Sequence, residues 1–176
     1  MIVKETILEG CFVIQPKVIQ DKRGYFLESF NQAVFKEGLK RDIHFVQDNE
    51  SYSSKGVLRG LHYQIGDYAQ AKLVRVIKGK ILDVVVDLRQ ESETFMQWFS
   101  IVLTKENRKS IHIAPGCANA FLTLEDNSLI HYYCSKSYNP DSERGIRYDD
   151  PSFNFQWPVK PEVISDKDLG HPNFSK

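Results

Sequence analysis

The sequence predicts an all-β barrel or jelly roll, and three observations carry that expectation. Short apolar runs alternate at period two along most of the chain, turn residues separate them at frequent intervals, and a single stretch has helical spacing. The 176 residues, 41% of them apolar, suffice for one core, and no repeat or low-complexity linker marks a second domain, so 1–176 is read as one unit.

Taken in order, residues 7–19 alternate loosely, and Pro16, which has no N–H to donate, suits an edge strand or an arm exchanged with another copy. Asp21 to Phe30 reads as a turn and a strand, with Tyr25, Leu27 and Ser29 on one face and Phe26, Glu28 and Phe30 on the other. Residues 31–41 form the one short helix, capped by Asn31 and apolar along Val34, Phe35 and Leu39, with Gly38 weakening it. In 45–54, Gln47, Asn49, Ser51 and Ser53 share a face that lines either a polar cavity or solvent. Lys55 to Gly79 has a strand-turn-strand rhythm; the plain reading is a hairpin with a polar tip, against which Leu73 following directly on Lys72 argues. Lys80 to Leu88 is a β-branched run expected of a strand buried on both faces. Strands follow at 96–104 and 110–114, and Phe121 to Tyr133 supplies two more around Glu125 to Ser128. Beyond Tyr138 four of the seven prolines fall within 22 residues, an irregular tail in which VISDKDLG can form a helical turn over the barrel mouth.

Charge excludes some functions. With 23 basic and 23 acidic residues there is no global attraction to nucleic acid or an anionic membrane, so any bound anion must be held by local arginines and lysines. Cys11, Cys117 and Cys134 form no CxxC pair, the first residues carry no signal-like apolar run, and no stretch approaches about 18 consecutive apolar residues. The expectation is a reduced, cytoplasmic protein without a membrane partner.

The stretch KGVLRGLHYQIGDYAQAKLVRVIKG concentrates the chemistry. Alternation points Lys72 away from the face of Leu73, onto the face where His62 can lie. The spacing resembles the first motif of the cupins, small β-barrels whose motif runs glycine, five residues, His-x-His, three or four residues, glutamate, six residues, glycine. Here Gly56 precedes His62-x-Gln64 by five residues, and Lys72 stands six residues before Gly79 in the place of the glutamate. The second motif is echoed by Pro115-Gly116-Cys117-Ala118-Asn119, with Asn119 in the place of the last ligand. One imidazole and an ammonium do not make the roughly three-ligand set of a catalytic metal, so the pocket is expected to hold no metal.

More of the chain is similar to one family. DKRGYFLESF, QDNESYSSKGVLRGLHYQ, AQAKLVRVIKGKILDVVVDLR, SETFMQW, APGCANAF, YNPDSERGIRYDDP, FQWP and ISDKD occur in the order found in the nucleotide-sugar 3,5-epimerases typified by dTDP-4-dehydrorhamnose 3,5-epimerase, a metal-free branch of the cupins. The resemblance implies a homodimer of cupin-type jelly rolls with N-terminal strands crossing the interface, a nucleoside-diphosphate 4-keto sugar as substrate, and no cofactor. It implies His62 as general base, Asp168 as its carboxylate partner, Tyr132 on the opposite face of the sugar and Lys72 beside the keto oxygen. Arg23 and Arg59 match diphosphate-holding arginines, while Phe26, Glu28, Gln47, Asn49, Tyr138 and Glu143 match pocket positions. Asn119 replaces a pocket histidine, Tyr133 stands where lysine is common, and Gly66-Asp67 replaces a proline pair. Asp166 is a near neighbour of Asp168, and Glu143 with Arg147 reads equally as a structural ion pair.

These residue types suit the chemistry. Inverting a carbon beside a ketone requires a base, a group that meets enolate charge, and a proton donor on the other face. A neutral imidazole is a base near pH 7, and a carboxylate can orient it. The alternatives are a C3-only epimerase or 3,4-ketoisomerase acting on a dTDP, GDP or CDP sugar, hexose or heptose; a non-catalytic nucleotide-sugar binding module; and a metal-dependent oxygenase, which the missing ligands disfavour.

Overall fold

A computed structural model describes residues 1–175. In chain order it contains β1 (Ile2–Glu5), β2 (Phe12–Gln15), β3 (Val18–Asp21), β4 (Gly24–Leu27), α1 (Gln32–Leu39), β5 (Gln47–Ser53), β6 (Val57–Gln64), β7 (Lys72–Lys78) and β8 (Lys80–Asp87). There follow β9 (Trp98–Thr104), β10 (Ser110–Ile113), β11 (Cys117–Thr123), β12 (Ser128–Cys134), β13 (Glu143–Gly145), β14 (Val163–Ile164) and α2 (Asp166–Leu169). One sheet runs β1-β2-β10-β7-β12-β5 and the other β13-β6-β11-β8-β9, with β14 added to β6 in parallel and every other pairing antiparallel. The two sheets make the expected jelly roll.

β8 shows why the chain folds this way. Ile81 and Val85 enter the core between the sheets with Val74, Ile111, Phe121 and Ile130. The alternate residues Leu82, Val84 and Val86 pack on the other face beneath Phe153, Phe155 and Trp157 of the tail. The tail is irregular in backbone, as expected, yet it covers a sheet; Phe153 is buried, which contributes roughly 1.5–3 kcal/mol, while Phe155 and Trp157 are half-buried. Asn31 caps α1 by accepting from Ala33 N (3.1 Å) and Val34 N (3.3 Å). Gly38 has a packing reason: a Cβ there would stand 2.7 Å from Val3 Cγ2 of β1.

One expectation is corrected and one open reading is decided. Residues 7–19 are not one edge strand, because Pro16 separates β2 from β3, and β2 lies inside its sheet between β1 and β10. β6 and β7 are not a hairpin. They belong to opposite sheets, joined through a 3-10 turn at Gly66–Tyr68, so the residues of this stretch face each other across the barrel.

Candidate active site

The open end of the barrel holds a cavity of about 450 Å³ bounded by Arg59, His62, Lys72, Asn119, Tyr132 and Asp168. His62 and Asn119 are cross-strand partners on one wall, while Lys72 and Tyr132 stand on β7 and β12 of the other. A side lobe of about 150 Å³ shares His62, Lys72 and Tyr132 and is lined by Gln47, Asn49, Tyr138 and Glu143. The polar face of β5 therefore lines a cavity, the first of its two readings.

The pair at the centre is made by α2. Ser165 caps this turn by accepting from Asp168 N at 3.1 Å, which presents the Asp168 carboxylate to β6. Its Oδ1 lies 2.8 Å from His62 Nε2, and its Oδ2 accepts from Gly60 N at 3.0 Å. Gly60 (φ +118°) lets β6 pass close to β11, since a Cβ there would sit 2.7 Å from Ala120 Cα. Asp168 is 3% exposed whereas Asp166 faces solvent, so the structure chooses between the two neighbours. Burial pushes the Asp168 carboxyl up, but the His62 ring and the Gly60 N–H outweigh it and hold it below its ordinary value. A carboxylate only accepts, so His62 Nε2 carries the proton and donates, leaving the Nδ1 lone pair for chemistry.

On the facing wall burial pulls the Lys72 ammonium's pKa down, and on β8 of the His62 wall it pushes the Asp83 carboxyl well up. Asp83 Oδ1 accepts from Asn119 Nδ2 at 2.8 Å. Asp83 escaped sequence reasoning because it sits inside a β-branched run; its signal was an acidic residue at an inward position of a two-faced strand. Burial also raises the Tyr132 hydroxyl pKa, which keeps it a protonated donor.

The rim is a chain of polar contacts. Gln47 Oε1 accepts from Tyr138 N at 2.8 Å, Tyr138 Oη donates to Glu143 at 2.7 Å, and Lys167 closes an ion pair with Glu143. The alternative Glu143–Arg147 ion pair is not formed, because Arg147 pairs with Asp149 at 2.7 Å. Arg59 lines the cavity and donates to Ser53 Oγ at 3.2 Å. Arg23, Phe26 and Glu28 are not brought to this cavity. Arg23 is 90% exposed and paired with Asp21 in the β3–β4 ribbon, Phe26 is 67% exposed, and Glu28 accepts from Asn31 at 3.1 Å. His171, which sequence reasoning passed over, lies beside the central pair with Nε2 3.7 Å from Asp168 Oδ1.

A family model described as dTDP-4-dehydrorhamnose 3,5-epimerase matches residues 5–176. The enzyme of that name from Methanothermobacter thermautotrophicus is 48% identical over 93% of this chain and 89% of its own length. Its counterpart from Shigella flexneri is 45% identical over 99% and 96% respectively. Among solved structures, a dTDP-6-deoxy-D-glucose-3,5-epimerase from Legionella pneumophila in complex with dTDP-4-keto-L-rhamnose superposes with a TM-score of 0.92 at 41% identity, covering 97% of this chain and 91% of that one. The jelly roll and the likeness over nearly the whole length agree, and the chain belongs to the dTDP-4-dehydrorhamnose 3,5-epimerase family.

Proposed function

We propose that this protein is an isomerase that inverts C3 and C5 of a nucleoside-diphosphate 4-keto-6-deoxy sugar of the dTDP-4-dehydro-6-deoxyglucose type, in activated deoxy-sugar biosynthesis. The observation that carries this reading is the opposition of His62 and Tyr132 on facing sheets, with Lys72 on the cavity wall between the two lobes. A sugar ring lying between the walls offers one face to each.

His62 Nδ1 removes the proton beside the ketone, and Asp168 stabilises the imidazolium that forms. Charge moves to the C4 oxygen, where it favours the ammonium form of Lys72 that burial disfavours; the cation is fixed on β7 before the reaction starts. Tyr132 returns a proton from the far wall. Each step is a proton transfer; His62 then gives its proton to water and Tyr132 takes one back, which resets both groups for the second centre. Arg59 is suited to the diphosphate, and Gln47, Asn49, Tyr138 and Glu143 to the substrate groups in the side lobe.

Arg23, Phe26 and Glu28 serve the same site in a homodimer. The β3–β4 ribbon is a separate two-stranded sheet with exposed Ile19, Tyr25 and Phe26, a form suited to inserting into a second copy. Three free thiols and a nucleotide-sugar substrate support a cytoplasmic setting, and no helix among the described residues is long and apolar enough to cross a membrane.

Heavy water separates the two walls. Native protein incubated with the 4-keto substrate should wash deuterium into C3 and C5; label at C3 alone would make it a C3-only enzyme, a reading that Asn119 in place of the family's histidine keeps in view. His62→Asn should lower exchange at both centres by roughly 10²- to 10⁴-fold. Tyr132→Phe should retain exchange at one centre at least while losing inversion. Native inversion rates in the tyrosine variant would overturn the two-wall mechanism.

A further inference from the structure

We propose that His62, Asp168 and His171 form a binding site for a four-coordinate divalent transition metal of the Zn²⁺ class, and that its occupation removes the base from His62. The site differs from the cupin ligand positions, of which this chain retains His62 while Gln64, Lys72 and Asn119 fill the others.

The donor atoms of the three residues all lie within 4.8 Å of one another. Asp168 Oδ1 stands 2.8 Å from His62 Nε2 and 3.7 Å from His171 Nε2. These separations bracket the roughly 3.3 Å between ligands of a tetrahedral ion with metal–ligand distances of about 2.0–2.2 Å. A second observation points to a ligand: His171 Nε2 is buried and has no hydrogen-bond partner among the described residues. An orphaned imidazole nitrogen aimed at a carboxylate is costly unless something occupies it. The ring is held there by the fold. Gly145, the cross-strand partner of His62, leaves room for the His171 imidazole, with which any Cβ would collide. Arg147 Nη1 donates to Leu169 O at 2.7 Å and Arg147 N to Pro172 O at 3.1 Å, pinning the turn that carries His171. Lys167, the cation of this turn, is already paired with Glu143. Three protein donors and one water complete a tetrahedron, and imidazole with carboxylate is a donor set that Zn²⁺ and Co²⁺ accept.

The consequence for turnover follows from proton balance. To bind metal, His62 Nε2 must give up the proton it shares with Asp168, and that proton passes to Nδ1 with no net release. The lone pair that served the substrate is then an N–H. The metal sits on the Asp168 side of the ring, away from Nδ1, so it stops proton abstraction without filling the substrate's place. This step rests on His62 being the base, whereas binding of the metal does not.

The test uses the full chain, stripped with chelator and titrated with Co²⁺ and then Zn²⁺. Stoichiometric Co²⁺ should give the visible bands of a four-coordinate nitrogen and oxygen site without sulfur charge-transfer absorption, and Zn²⁺ should displace it. His171→Ala and His171→Gln should keep metal-free turnover and weaken binding by more than the roughly 10- to 100-fold typical of losing an outer-sphere partner. In native protein Zn²⁺ should lower kcat, leave KM unchanged and be reversed by chelator. No Co²⁺ band, a sulfur band from the buried cysteines, or equal affinity in both His171 variants would overturn the site. A site that forms, and is lost in the His171 variants, while native turnover is untouched supports the metal site and overturns His62 as the base.

Discussion

His112 on β10 is 2% exposed, its Nδ1 lies 3.2 Å from Gly10 O, and its Nε2 has no partner among the described residues. Burial holds the imidazole neutral by bringing its pKa down to about 4. In the unfolded chain a histidine takes up its proton near 6.5, so between these values the unfolded state binds more protons and stability falls as pH falls. The loss should reach roughly 3 kcal/mol by about pH 4. Urea unfolding from pH 7 to 4 should show this slope in native protein and little of it in His112→Gln; an unchanged slope in the variant would place the titration elsewhere. His62 and Lys72 were legible as single residues because polar groups interrupt an apolar rhythm there. His171 was not, because nothing in GHPNF distinguishes a loop histidine from one packed against Gly145.

At the scale of elements, the end of β8 is held by a second carboxylate. Asp87 accepts from Arg89 Nε (2.8 Å), Arg89 N (3.0 Å), Ser92 Oγ (2.6 Å) and Thr94 Oγ1 (2.6 Å), and Arg89 reaches Glu9 O at 2.7 Å. This ties the β8–β9 connection to the N-terminal segment. Burial pushes the Asp87 carboxyl up, but these donors outweigh it and hold it down at about 2. Its contribution is therefore complete above the ordinary carboxylate value and is lost as pH falls toward about 2. Asp87→Asn should cost about 3 kcal/mol at neutral pH and flatten the stability profile below about pH 4, a window separate from that of His112. A variant as stable as native protein would show that Arg89 finds equal partners without the carboxylate. Strand existence was legible here, from alternation in β5 and the two-sided run of β8. The partnering of β6 and β7 was not, because period two is the same in a hairpin and in strands of facing sheets.

At the scale of the molecule, one chain brings His62, Lys72, Tyr132 and Asp168 to one cavity and leaves Arg23, Phe26 and Glu28 on or beside an exposed ribbon. If two copies exchange ribbons, light scattering should report a dimer, and Arg23→Ala should weaken nucleoside diphosphate binding by roughly 1.5–3 kcal/mol. Complementation tests the exchange itself. His62→Asn mixed and refolded with an Arg23→Ala, Phe26→Ala variant should recover activity that neither has alone, because one site of the mixed dimer receives an intact ribbon and an intact histidine. A dimer without recovery would mean that each ribbon serves its own chain.

What this sequence determines by itself is what neighbouring residues decide among themselves. Cβ direction alternates along a strand, glycine and proline punctuate, and Asn31 caps α1, so an all-β barrel, its short helix and the residue types of an acid/base site can be read directly. Tertiary structure alone decided which strands share a sheet, that Asp83 faces Asn119 and that His171 joins the pair; it also brings Asp168, the partner the resemblance implies, to His62 and leaves Asp166 in solvent. His62 and Asp168 are 106 residues apart, and Asn119 and Asp83 are 36 apart. Contacts at such separations arise from two sheets closing over one core, with glycines at 60 and 145 admitting the close approaches, and no local periodicity encodes them.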